Sequence, residues 1–141
     1  MNFLEWNQSF SVGDPKLDDQ HRRLFAYLND LHAAWQDGQI SDPQLEILDN
    51  LVIYTRYHCA SEENCLKRID YNLLAEHQQI HADLVARLLA RQKAIATGRT
   101  ADYLEFLTWF RTQIVDHLKH EDQKYISHLA THRVPELVSI P

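Results

Sequence analysis

Glycine and proline are scarce in this chain: three and four in 141 residues. So few turn formers argue against a fold of many short strands and favour a few long helices. Cysteine is nearly as rare. Cys59 and Cys65 lie six apart on one expected helix and face different ways, so an internal disulfide is not expected. A reducing, cytoplasmic setting fits that pattern. Basic charge is in deficit, with a formal net charge of −6 and a pI near 5.8. This balance excludes a nucleic-acid binder and a protein held on an anionic membrane surface. No apolar run reaches the length of a membrane span. The opening MNFLEWNQSF has neither the basic start nor the apolar stretch of a signal peptide.

What is present is an ordinary apolar content and an unusual number of histidines. Hydrophobic residues make up 45% of the chain, charged residues 24%, and histidines number nine. No repeat, linker or low-complexity segment divides the chain. One domain over residues 1–141 is therefore expected, with an arm at 1–17, a helical body at 18–130 and a tail at 131–141. The arm has no helical period. Its Phe3, Leu4, Trp6, Phe10 and Val12 are expected to pack against the body.

Four amphipathic stretches follow. The first is expected to start at Asp18 as N-cap and to end at Gly38, with His21, Leu24, Phe25, Leu28, Leu31 and Trp35 on one stripe. His21 lies near the positive end of that helix, which disfavours imidazolium and favours the neutral ring a metal needs. The second starts at Asp42 and Pro43, read as cap and first helical residue. Its stripe runs Leu45, Leu48, Val52, Thr55, His58 and Glu62, then Cys65 or Leu66, then Ile69. A Glu on a core stripe is costly unless it is paired or bound to a metal. After a turn at Asp70 to Asn72, the third stripe carries Leu74, His77, His81, Leu84, Leu88 and Ile95, and Gly98 ends it. The fourth is capped by Thr100 and carries Leu104, Leu107, Phe110, Ile114, His117, then Glu121 or Asp122, then Tyr125 and Leu129. Four such helices with short connections make an all-α, up-down-up-down four-helix bundle the expected architecture.

Residues four apart on a helix share a face, so His58 with Glu62 and His77 with His81 each form a two-toothed grip for a cation. Adding His21, His117 and one acid from the fourth helix places five imidazoles and two carboxylates inside one bundle. Without metal, that many inward rings would leave many polar atoms unsatisfied. Seven ligands are too many for one ion and suit two ions bridged by carboxylates. His32, His120, His128 and His132 fall off these faces and read as surface residues.

The pattern of His21, the His58-x-x-x-Glu62 and His77-x-x-x-His81 pairs, and His117 ahead of Asp122 resembles the hemerythrins. In its small single-domain form the chain is similar to the bacterial members, the bacteriohemerythrins. The likeness extends to Trp6, to Ser11–Gly13, to DDQH at His21, to YTRYH at His58, to Glu62 and Glu63, and to HLKHEDQKY. It implies a cofactor of two non-haem iron ions. His77, His81 and His117 would hold one iron, and His21 and His58 the other. Glu62 and Asp122 would bridge them beside an oxo or hydroxo group. It implies O2 as partner, taken at the open position of the two-histidine iron for transport, storage or delivery, in a non-enzymatic monomer or weak homo-oligomer. A di-iron oxidase or peroxidase-like enzyme and a sensor acting through a separate partner are the alternatives. Helical spacing from His117 selects Glu121, whereas the resemblance selects Asp122. Phe25, Phe110 and Ile114 are expected to wall the O2 pocket. Cys59 and Gln113 stand where the family often has aromatics, which puts Gln113 near that pocket and makes Cys59 a small core hydrophobe.

Overall fold

Each helix begins where a side chain can satisfy the free amides of its first turn. In the computed structural model, which describes residues 2–35, 41–98 and 102–132, helix α1 spans Pro15–Ala34. Its N-cap is Asp14, whose carboxylate accepts from the Leu17 amide at 3.0 Å, with Pro15 in the first helical position. The expected cap at Asp18 is therefore four residues late, and the helix begins at residue 15 rather than after it. Asp18 is 7% exposed and serves the arm instead. It accepts from the Ser11 hydroxyl at 2.6 Å and the Val12 amide at 2.9 Å.

Helix α2 spans Asp42–Arg68. Ser41 is its N-cap and forms a capping box with Gln44, so Asp42 is the first helical residue rather than the cap. Asp70, in the left-handed region at φ 53, turns the chain toward α3, Leu74–Ala96, which Gly98 closes at φ 105. Helix α4 spans Tyr103–Asp116 and continues through a π-helical turn, His117–Glu121, and a 3-10 turn, Asp122–Tyr125, into α5, Ile126–His132. The expected helix end at Gly38, the cap at Thr100 and the tail beyond His132 lie outside the described residues.

The result is an up-down-up-down four-helix bundle in which α1 packs on α2 and α4, and α3 packs on the same two. Among the described residues no helix is long and apolar enough to cross a membrane. The interior divides into two apolar clusters. The larger holds Leu24, Leu28, Leu51, Leu88, Phe106, Phe110 and Leu118; the smaller holds Val12, Leu17, Leu66, Ile69, Tyr71, Tyr125 and Leu129. On α1, α2 and α3 the metal-seeking residues fall between the two, and on the fourth rod Asp122 does. The arm closes the larger cluster: Trp6 and Phe10 pack on Phe25 at 5.5 and 5.3 Å between ring centroids. Asn29 exchanges two 2.8 Å hydrogen bonds with the Leu4 backbone, and Arg111 donates to the Phe3 carbonyl at 3.1 Å.

The two aspartates at the start of α1 have different jobs and should respond differently to removal. Asp14→Ala is expected to cost about 1 kcal/mol as a lost cap. Asp18→Ala orphans the buried Val12 amide and should cost roughly 1–3 kcal/mol. Urea unfolding measures both, and an unchanged midpoint for Asp14→Ala would contradict its role as the cap of α1.

Candidate metal centre

The bundle brings all seven expected side chains to one place. His21 comes from α1, His58 and Glu62 from α2, His77 and His81 from α3, and His117 and Asp122 from the fourth rod. The π turn sets which of the two candidate acids faces inward. Across it the Asp122 amide donates to the His117 carbonyl, five residues back, so position 122 rather than 121 shares the face of His117. Asp122 is 0% exposed. Glu121 turns outward, where Lys124 donates to both its carboxylate oxygens at 2.9 and 3.2 Å. Simple i, i+4 spacing points to Glu121 because it assumes an unbroken α-helix.

All five rings present Nε2 to the interior. His21 and His58 approach nitrogen to nitrogen at 3.0 Å, and His81 and His117 at 3.1 Å. Glu62, 0% exposed, divides its oxygens between the two sides. Its Oε1 lies 2.5 Å from His77 Nε2 and 3.1 Å from His81 Nε2. Its Oε2 lies 3.3 Å from both His21 and His58 Nε2. Asp122 divides likewise, with Oδ1 3.0 Å from His117 and 3.3 Å from His77, and Oδ2 3.3 Å from His21. Among the described residues, none of these approaches to Asp122 aligns as a hydrogen bond, so both its oxygens are buried without a partner. Lone pairs facing a common point, with orphaned carboxylate oxygens among them, suit cations rather than a hydrogen-bonded core. Two ligand groups result, Glu62 with His77, His81 and His117, and Glu62 with His21 and His58.

Three supporting residues escaped the sequence reading. His58 Nδ1 donates to Gln20 Oε1 at 2.7 Å, and Gln20 Nε2 in turn donates to the Ser61 hydroxyl at 3.0 Å. His81 Nδ1 donates to Glu63 Oε2 at 2.6 Å. Each bond fixes the ring's tautomer and leaves Nε2 free to bind metal. The Tyr125 hydroxyl donates to Glu62 Oε2 at 3.1 Å. Gln20 and Glu63 adjoin His21 and Glu62 in sequence but serve rings on other helices, a pairing that spacing cannot reveal. Tyr125 sat on the fourth stripe as an apolar residue. His128, expected at the surface, is half-buried, with Nε2 donating to the Ile69 carbonyl at 2.8 Å.

The electrostatics follow from two carboxylates in a dry place. Burial works to lower the pKa of His21, but the close approach and negative charge of the Asp122 and Glu62 carboxylates raise it to about 9. The same balance takes His77 to about 9 and His117 to about 10. The helix start, which was expected to keep His21 neutral, is overruled: the ring sits in the second turn, facing both acids. At His58 burial prevails over the pull of Glu62, leaving its pKa lowered. Burial pushes the Glu62 carboxyl up, yet the surrounding imidazoles, His58 first and then His117 and His21, hold it well below the carboxylate range. The pair of acids thus calls for positive charge, from protons or from metal.

A cavity of about 30 Å³ adjoins these groups. Beyond the site residues its walls are Leu24, Thr55, Cys59, Leu84, Phe110, Ile114 and Leu118. Phe110 and Ile114 are there as expected. Phe25 is not: it packs under Trp6 and Phe10. Gln113 is half-buried and does not line the cavity either.

Residues 12–129 match the family model described as the hemerythrin HHE cation binding domain. The chain belongs to the hemerythrin family. Hemerythrin domains bind non-haem iron, and their proteins are generally O2 binders rather than enzymes. A bacteriohemerythrin of Stenotrophomonas maltophilia (strain R551-3) is 28% identical over 132 residues, 94% of this chain and 85% of that protein. One from Clostridium acetobutylicum is 27% identical over 125 residues, 86% of this chain and 97% of its own. A crystal structure of hemerythrin, a leucine-to-alanine mutant, superposes with a TM-score of 0.82 at 27% identity, covering 92% of this chain and 99% of that one.

The hemerythrin geometry separates the two acids at the π turn. Asp122→Ala should weaken metal binding by at least about 100-fold, the upper range seen when groups that merely orient ligands are removed. Glu121→Ala should load metal like the parent. Metal analysis after dialysis decides, and the opposite ranking would contradict the assignment of Asp122.

Proposed function

We propose that the chain binds O2 reversibly at two non-haem iron ions, one held by His77, His81 and His117 and the other by His21 and His58. Glu62 and Asp122 would be shared between the two ions in this reading. One observation carries it: each buried carboxylate turns one oxygen to the three-histidine group and the other to the two-histidine group. Imidazole with carboxylate suits iron. Unequal ligand counts would leave the two-histidine ion room for a small ligand, and the cavity is lined by both His21 and His58. Iron, when bound as a pair, supplies the two electrons that reversible O2 binding requires.

The chain's own residues do the rest. Gln20 and Glu63 hold His58 and His81 with Nε2 toward the site, and Tyr125 holds Glu62. Leu24, Leu84, Phe110, Ile114 and Leu118 keep water away from the cavity. Apart from the site groups, Thr55 and Cys59 are the polar side chains there, and the Thr55 hydroxyl is committed to the Leu51 carbonyl at 2.7 Å. Such a wall delivers few protons to reduced oxygen, which favours carriage, storage or delivery over turnover by an oxidase or peroxide-consuming enzyme. Two free thiols, Cys59 and Cys65, fit work in a reducing cytoplasm.

The visible spectrum of the reduced, iron-loaded protein tests this reading. A charge-transfer band that appears with O2 and disappears under argon, over repeated cycles, is the expected result. A single irreversible change with release of hydrogen peroxide would favour the enzyme.

A further inference from the structure

The rings turn Nε2 toward the site, so what each Nδ1 meets on the far side governs how strongly the ring gives its lone pair to a cation. The two halves of the site differ here. On the three-histidine side, His81 Nδ1 donates to Glu63 Oε2 at 2.6 Å, a bond to a full negative charge. On the two-histidine side, His58 Nδ1 donates at 2.7 Å to Gln20 Oε1, the oxygen of a neutral amide. His21 Nδ1 is buried and, among the described residues, has no partner. A charged acceptor draws the Nδ1 proton away and pushes electron density onto Nε2; an amide does so less.

Nothing in the local packing demands the amide. Gln20 is 4% exposed and donates to the Ser61 hydroxyl at 3.0 Å. A hydroxyl both donates and accepts, so it can turn and donate to a carboxylate in the same place. Gln20 also lines an outer groove with Lys16, Arg22 and Arg23 against one acid, Asp19, a balance that would favour a carboxylate there. The neutral residue therefore matters to the site rather than to the fold.

We propose that Gln20 and Glu63 rank the two ions as positioning residues, acting through the rings. Glu63 tightens the three-histidine ion. Gln20 leaves the two-histidine ion the looser of the pair, the one that enters last and leaves first. This ranking rests on the two-ion reading above. Three rings against two already favour that order, so the part played by Gln20 and Glu63 lies in what exchanging amide and acid does to each step.

Cobalt(II), added stepwise to the metal-free protein under argon, tests the ranking. Visible absorption counts the ions bound, and paramagnetically shifted ring-proton NMR signals tell which histidines hold each one. In the parent, His77, His81 and His117 should shift first, and His21 and His58 only with the second ion. Gln20→Glu should tighten the second step by about 10–100-fold and leave the first in place, whereas Glu63→Gln should weaken the first by a like factor. In the zinc-loaded protein, the His58 Nδ1 proton should move downfield in Gln20→Glu, a signature that repacking alone would not give. Steps unchanged in both variants, or both steps moved alike as added charge alone would move them, would overturn the ranking. Should Gln20→Glu fail to fold, a first step unchanged in Glu63→Gln would overturn it equally. Should every form stop at one ion, the two-ion reading falls; a single ion indifferent to Glu63→Gln then overturns the role of Glu63 as well, and one weakened by the same factor upholds it.

Discussion

Two carboxylates with no access to water govern this molecule. Glu62 and Asp122 are each 0% exposed, and an isolated buried carboxylate is too costly to remain charged. The fold answers by surrounding them with five imidazoles drawn from all four rods. With protein groups alone, protons gather there, and His21, His77 and His117 rise to pKa values of about 9 to 10 despite their burial. Multivalent cations meet the same demand more fully, because they satisfy the Nε2 lone pairs and the orphaned Asp122 oxygens together. The apolar clusters above and below the site keep this demand high by keeping the dielectric low.

Placement of the seven groups depends on departures from regular helix as much as on helix. His58 with Glu62 and His77 with His81 need only the α-helical repeat. Asp122 needs a different one, and the π turn from His117 to Glu121 supplies it. Had the α repeat continued, Glu121 would face inward and Asp122 would lie beside it. The ion pair of Glu121 with Lys124 on the outer surface matches the register the chain adopts. At the other end of the bundle, the arm ties α1 to α4 through Asn29 and Arg111, which sets the rod bearing His21 against the rod bearing His117.

Much of this is legible in the residues. The stripes that run through His58 and Glu62, and through His77 and His81, place them in the core, and the bundle follows from stripe lengths and the scarcity of turn formers. Helix starts are harder to read. Asp18 resembles a cap because it stands just before the stripe, yet Asp14 with Pro15 carries the stronger signal. Phe25 shares the stripe of His21, but the arm covers it, and periodicity within one helix says nothing of what packs on top. Gln20 and Glu63 stay hidden because each serves a ring on another helix. The π turn leaves no mark of its own; likeness to hemerythrins, rather than spacing, points to Asp122.

The decisive question is whether two metal ions sit on either side of the Glu62–Asp122 pair. Anomalous diffraction at the iron edge from crystals of the iron-loaded protein tests it most directly. Two iron peaks of comparable height are predicted, one against His77, His81 and His117 and one against His21 and His58, with both carboxylates between them. A single peak, or two peaks not joined by these carboxylates, would contradict the two-ion centre.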